Sequence, residues 1–236
     1  MTTYHLLVIE DDASVAKGLV QGLEQEGFQV TWKDTGQGGL ETARGAGVDL
    51  IVLDLRLPDI TGFDVARQIR GDGNTVPILI LTASDDDVDT VLGLELGADE
   101  YVTKPFRLRP LTSRIKAMLR RTYGELSAGT GSQLRFGEVT VDRERLRVTR
   151  KGQEVVLTPT ELRMLLYLLE RPDRPVTREM IVNGVWGEDF FLEDPRTVDV
   201  HIRHLREKLE DEPAQPRYIR TVRGVGYVFS PSGASR

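Results

Sequence analysis

Val48-Asp49-Leu50-Ile51-Val52-Leu53-Asp54 is a run of β-branched and aliphatic residues that stops on a carboxylate. Three more runs also stop on a polar or charged residue. His5-Leu6-Leu7-Val8-Ile9 leads into Glu10-Asp11-Asp12, Val76-Pro77-Ile78-Leu79-Ile80-Leu81 into Thr82, and Tyr101-Val102-Thr103 into Lys104-Pro105. Between them lie stretches with apolar residues three and four apart, over 13–26, 62–70 and 109–121. Short apolar runs alternating with helical patterns predict buried strands of a parallel sheet in a doubly wound α/β domain. In such a sheet the carboxyl ends of the strands share one edge, and ligands bind there. Three acids, a hydroxyl and a lysine should therefore meet in one pocket. Crowded carboxylates repel one another and favour a divalent cation, and hard oxygen ligands suit Mg²⁺. A lysine and a hydroxyl beside them suit the remaining oxygens of a phosphoryl group. The pocket reads as the site of a phosphorylated aspartate.

Singly, each residue has a plainer reading. A strand-end aspartate is more often a helix cap, one lysine is usually solvated, and Tyr101 alone reads as core. The convergence of Glu10, Asp11, Asp54, Thr82 and Lys104 carries the functional reading. The main enzymatic rival is an aspartyl-phosphate phosphatase, which needs a second carboxylate two residues after the nucleophile. That position holds Arg56. Without a general acid or base near Asp54 the phosphate should hydrolyse slowly, which suits a signal rather than an enzyme.

Over roughly residues 4–121 these motifs resemble the receiver domain of a two-component response regulator. The resemblance implies Asp54 as phosphoryl acceptor and a sensor histidine kinase as donor. Glu10 and Asp11 become the acidic pair, Thr82 the switch hydroxyl, Tyr101 the switch aromatic, and Lys104 the lysine before a cis Pro105. Mg²⁺ would be held by Asp11, Asp54 and the backbone carbonyl of Arg56, with Glu10 acting through water. Asp12 is expected to cap the first helix. Phosphorylation would draw Thr82 toward the phosphate and turn Tyr101 inward. It would also drive homodimerisation through the helix near 85–96, the strand near 99–103 and the helix near 109–121. On that face Glu100–Arg114 resembles a family charge pair, and Asp99–Arg121 is a second. A third is lost, because its positions hold Thr90 and Pro110.

Residues 122–133 carry three glycines and little apolar content, and read as a flexible linker. Beyond it, short antiparallel strands are predicted at 139–141 and 146–148, and helices near 159–170, 177–185 and 195–210. A hairpin over Ile219–Phe229 follows, with Gly224 and Gly226 at its turn. In the third of these helices Val198, Ile202, Leu205 and Leu209 form a core stripe. Its basic residues, alone, read as a solvated face with pairs such as Arg203–Glu207. With a helix before it and a basic hairpin after it, the helix fits a recognition helix in the major groove beside a minor-groove wing. Leu157-Thr158-Pro159-Thr160-Glu161-Leu162, Arg196–Arg203 and Arg220–Tyr227 resemble the winged-helix output domain of the OmpR/PhoB subfamily. DNA contacts are then expected from Arg196, Thr197, Val200, His201, Arg203, His204, Arg206 and Arg223. The loop bearing Phe190 and Phe191 resembles one through which relatives touch RNA polymerase. The predicted layout is a receiver over 1–121, a linker over 122–133, an α+β winged helix-turn-helix domain over 134–232 and a tail over 233–236.

Composition narrows the classes. The absence of cysteine removes disulfides and thiolate metal sites and fits a reducing cytoplasm. No apolar run approaches the roughly 18 residues of a membrane helix. The net charge of −6 hides an asymmetry: residues 1–122 hold 13 basic and 19 acidic side chains, whereas residues 123–236 hold 18 of each. From Pro213 to Arg236 there are four arginines and no acid, so basic character is local and bulk charge is a poor guide to nucleic-acid binding. The reading is a phosphorylation-controlled, sequence-specific DNA-binding transcriptional regulator. The alternative is a regulator whose receiver is a fixed dimerisation module, independent of phosphorylation.

Overall fold

The computed structural model describes residues 3–45, 47–83, 97–124, 133–187 and 196–233. The chain divides into two compact units between Gly124 and Glu125. In the first, β1 (His5–Ile9), β2 (Gln29–Lys33), β3 (Leu50–Asp54), β4 (Ile78–Thr82) and β5 (Glu100–Thr103) alternate with α1 (Ala13–Gln25), α2 (Gly36–Arg44) and α3 (Gly62–Gly71). The unit closes on α4 (Leu108–Tyr123). The strands form one parallel sheet in the order β2-β1-β3-β4-β5. Every residue of β3 and β4 is buried. This is why those strands read as unbroken apolar runs: helices cover both faces of an interior parallel strand. The helix expected near 85–96, Thr90 included, lies outside the described residues.

Two elements of this unit escaped the sequence reading. β2 is the edge strand, and its Gln-Val-Thr-Trp-Lys sequence leaves no apolar run to notice. α2 contains Gly36, Gly38 and Gly39, which a single sequence suggests is a loop. The glycines are there for packing. A Cβ on Gly39 would lie 2.3 Å from Ile9 Cδ1, and one on Gly36 would lie 2.5 Å from Ile60 Cγ1. Helix entry is set by side chains elsewhere. Asp12 Oδ1 accepts from the Ser14 and Val15 amides at the start of α1 (2.7 and 3.1 Å), and Thr61 caps α3.

The expected linker starts too early and ends one residue late. Thr122 and Tyr123 belong to α4, and Gln133 already opens β6. Tyr123 stacks on Tyr4 with centroids 5.6 Å apart and donates to the Asp49 carbonyl (3.0 Å), which extends the helix past the predicted end at 121.

The second unit opens on an antiparallel sheet of β6 (Gln133–Phe136), β7 (Val139–Asp142), β8 (Arg147–Arg150) and β9 (Gln153–Glu154). Then come α5 (Pro159–Leu169), β10 (Val176–Thr177), α6 (Arg178–Val185), α7 (Arg196–Leu209), β11 (Ile219–Val222) and β12 (Gly226–Phe229). α5 begins with a reciprocal capping box between Thr158 and Glu161 and with Pro159 in its first turn. The core includes Val141, Met164, Leu165, Ile181 and the stripe Val198, Ile202, Leu205 and Leu209 of α7. In the terminal hairpin Gly224 sits in the turn with φ +76°, whereas Gly226 is the first residue of β12, paired with both Val222 and Thr177. There a Cβ would meet the Val176 carbonyl at 2.2 Å, so glycine is required by close strand approach rather than by the turn.

Candidate phosphoacceptor pocket and nucleic-acid interface

Strand register brings the pocket together. β1, β3, β4 and β5 run parallel, so Glu10, Asp54, Thr82 and Lys104 emerge at one edge of the sheet. The ligand-capable oxygens of Glu10, Asp11 and Asp54 lie within 4.8 Å of one another, with Asp11 exposed and the other two buried. Lys104 Nζ donates to Glu10 Oε2 (2.7 Å) and Asp54 Oδ2 (2.8 Å). The Arg56 amide donates to Asp54 Oδ1 (3.2 Å). Thr82 ends β4 and is buried, and its carbonyl accepts from the Lys104 amide (2.6 Å). The Lys104–Pro105 bond is cis. Glu10 is held from behind by β2: its carbonyl accepts from Trp32 Nε1 (2.8 Å), and its amide donates to the Lys33 carbonyl (3.0 Å).

Burial raises the Glu10 carboxyl above its ordinary value, and the ammonium of Lys104 opposes it. Burial lowers the Lys104 ammonium, but its bonds to Asp54 and Glu10 outweigh this and hold it above the ordinary lysine value. Three oxygens of hard carboxylate type against a single cation leave the cluster under-neutralised, which is what a divalent ion corrects. The donor set therefore fits Mg²⁺, and it offers a lysine and a hydroxyl where a phosphoryl group's other oxygens would lie.

Of the two charge pairs expected on the β5–α4 face, Glu100–Arg114 forms within the chain. Glu100 is buried and accepts from Arg114 Nη1 (3.3 Å) and Arg121 Nη2 (3.2 Å). Asp99 makes its direct contacts elsewhere, although its charge still favours the charged form of Arg121. Its Oδ2 accepts from Arg70 Nη2 (2.8 Å) and the Ile78 amide (3.0 Å), and it too is buried. Arg70 reaches it because the same guanidinium also bonds the carbonyls of Asn74, Val76 and Gly97. Adjacent residues of an extended chain point to opposite sides, which places Asp99 and Glu100 beside different arginines. Tyr101 is already buried in this structure.

In the second unit the helix, strand and hairpin arrangement is a winged helix-turn-helix, with α7 where the recognition helix was expected. Not all of the expected DNA contacts lie on its open face. Thr197, Val200 and His201 are buried at 3, 6 and 2% exposure, with the His201 ring 5.7 Å from that of Trp186. They pack inward in this structure and do not join the exposed set. Their positions lie beside those of the core stripe, which the expectation of DNA contact from all three overlooked. Arg203 is exposed and paired with Glu207 (2.9 Å). His204 Nδ1 lies 3.6 Å from Glu161 Oε1, whose other oxygen accepts from Lys208 (2.6 Å). Arg223 is exposed at the hairpin turn. The Arg196 side chain and the loop with Phe190 and Phe191 lie outside the described residues. Sequence reasoning missed Arg178, Asp199 and Tyr227. Asp199 Oδ1 accepts from Arg178 Nε (2.7 Å) and Tyr227 Oη (2.6 Å). Their separation in the chain hides this contact, and no motif spacing reveals it.

An acid-lined phosphoacceptor pocket followed by a winged helix defines a phosphorylation-responsive DNA-binding regulator. Comparison with known proteins agrees. Residues 6–116 match the response regulator receiver domain, and residues 152–229 match the C-terminal domain of transcriptional regulatory proteins. A transcriptional regulatory protein of a Picosynechococcus species is 46% identical, over 97% of this chain and 93% of its own. The transcriptional regulatory protein AfsQ1 of Streptomyces coelicolor is also 46% identical, over 96% of this chain and 98% of its own. Among solved structures, the response regulator DrrB of Thermotoga maritima, an OmpR/PhoB homolog, covers 97% of this chain and all of its own. It is 34% identical with a TM-score of 0.51. The chain belongs to the OmpR/PhoB subfamily of two-component response regulators and is a transcription regulator. Among the described residues no helix is long and apolar enough to cross a membrane.

Proposed function

We propose that Asp54 accepts a phosphoryl group from a sensor histidine kinase in the cytoplasm and that this switches promoter binding by the second unit. The observation that carries this is the pair of hydrogen bonds that Lys104 donates to Glu10 and Asp54 beside the exposed carboxylate of Asp11. Asp11, Asp54 and the Arg56 carbonyl would hold Mg²⁺, with Glu10 acting through water. The ion would supply positive charge against the phosphoryl oxygens. Lys104 would swing from a carboxylate oxygen to a phosphoryl oxygen, and Thr82 would donate to another. A phosphoryl group of about −1.5 to −2 in place of the −1 of the carboxylate would repack the face around β5 and α4. Dimerisation there would raise the effective concentration of two DNA-binding units on paired half-sites. Contact with RNA polymerase would run through the loop bearing Phe190 and Phe191. The domain bounds we propose are a receiver to Tyr123 and an output domain from Gln133. Asp11→Asn removes a direct ligand and should weaken Mg²⁺ binding by about tenfold or more. Calorimetric titration with Mg²⁺ tests this, and unchanged affinity would remove Asp11 from the ligand set.

On the DNA side, Arg203, His204 and Arg223 form the proposed contact set. Arg223 at the hairpin tip suits a narrow A·T-rich minor groove. Arg223→Ala should weaken binding by about 1–3 kcal/mol. Arg203→Ala should reduce the salt slope by at most about 0.9, because its pairing with Glu207 already neutralises part of its charge. Binding isotherms on one duplex at several salt concentrations measure both, and an unchanged isotherm for Arg223→Ala would count against wing contact.

A further inference from the structure

The recognition helix and the wing are braced together by side chains from two points on α7. Asp199 accepts from Tyr227 Oη of β12 (2.6 Å) and from Arg178 Nε and Nη2 of α6 (2.7 and 3.2 Å). Arg206, two turns further along the same stripe, donates through Nε to the Ile219 carbonyl (2.8 Å) and through Nη2 to Thr221 Oγ1 (2.8 Å) of β11. Thr221 and Tyr227 are cross-strand partners, so both braces grip the hairpin at one register position. The next pair outward, Val222 with Gly226, closes the turn that carries Arg223. Between the braces the Tyr227 ring is faced by the guanidiniums of Arg178 and Arg206, 5.2 and 5.6 Å from its centroid. Burial pushes the Tyr227 phenol up to about 12, so its hydroxyl remains a donor at neutral pH. Arg206 was expected among the DNA contacts. Its rigid fork is instead spent on the wing.

Resting on the DNA-binding reading, we infer that Asp199 and Arg206 are positioning residues that lock the wing tip at a fixed offset from the recognition helix. Arg223 then reads minor-groove width at one distance from the bases read by α7, and the flank becomes part of the recognised sequence. A loosely attached wing would add electrostatic affinity without this register.

The test uses the full chain and duplexes enriched by the wild type from a random-sequence library, remade with A·T or G·C flanks. The readout is the ratio of affinities for the two flanks, so loss of folded protein cancels. Wild type should favour A·T flanks by about tenfold and Arg223→Ala should abolish the preference. Arg206→Lys keeps the charge but not the two-donor fork, and Tyr227→Phe keeps the ring but not the hydroxyl. Each should shrink the preference to about twofold while leaving the penalty for a substituted core base unchanged. If Arg206→Lys and Tyr227→Phe keep the full preference, the braces do not set the wing and the inference is overturned. If Arg223→Ala keeps it while the wild type still enriches a sequence, the wing is not the reader and the inference falls alone. If the wild type enriches nothing, the DNA-binding reading falls with it.

Discussion

Asp54→Asn is expected to take up no phosphate from a small-molecule phosphodonor with Mg²⁺, under conditions where the wild type takes up one. The substitution keeps the size of a side chain that is 5% exposed and removes only the nucleophilic oxygen and its charge. The fold should tolerate it. Lys104 keeps Glu10 as a partner at 2.7 Å, and one of three mutually repelling carboxylates is gone. Loss of incorporation can then be assigned to chemistry, provided the thermal midpoint is not lowered. Phosphate that still appears in the variant at another residue would refute the assignment.

Glu100→Ala should destabilise the first unit by about 1–3 kcal/mol, the cost of removing a buried hydrogen-bond acceptor. It leaves Arg114 and Arg121 with side-chain exposures of 20 and 12% and without the carboxylate between them. The pH dependence has a definite sign. Burial pushes the Glu100 carboxyl from 4.5 up to about 7, with Arg121 and Arg114 pulling it back. A carboxyl raised in the folded state contributes stability that is full below its unfolded value, and this is lost as pH rises through the folded value. The wild type should therefore lose stability from this group between about pH 4.5 and 7, and Glu100→Gln should not. The difference between the two denaturation midpoints, followed across that window, measures the effect. A difference independent of pH would show that Glu100 is ionised throughout.

What the sequence made legible follows from burial. β3 and β4 are covered on both faces, so their composition is forced and their ends are sharp; Asp54 and Thr82 stand out against them. Edge strand β2 and glycine-bearing α2 are constrained by a few contacts, such as Ile9 against Gly39, that no periodicity expresses. The core stripe of α7 was legible for the same reason as β3. Its contact face was not, because Thr197, Val200 and His201, beside the stripe, are buried as well. Charge pairing was the least legible feature. Asp99 and Glu100 are adjacent and both acidic, yet one belongs to Arg70 on α3 and the other to Arg114 and Arg121 on α4. Only the fold decides which arginine lies within reach.

The measurement that tests the account most directly is the affinity of the full chain for one enriched duplex, with and without a phosphodonor and Mg²⁺, for wild type and Asp54→Asn. Phosphorylation should tighten wild-type binding by about tenfold or more through tethering of two DNA-binding units, and the variant should bind with the lower affinity under both conditions. Equal affinity of the wild type in both states would contradict the account and support a receiver that serves as a fixed dimerisation module.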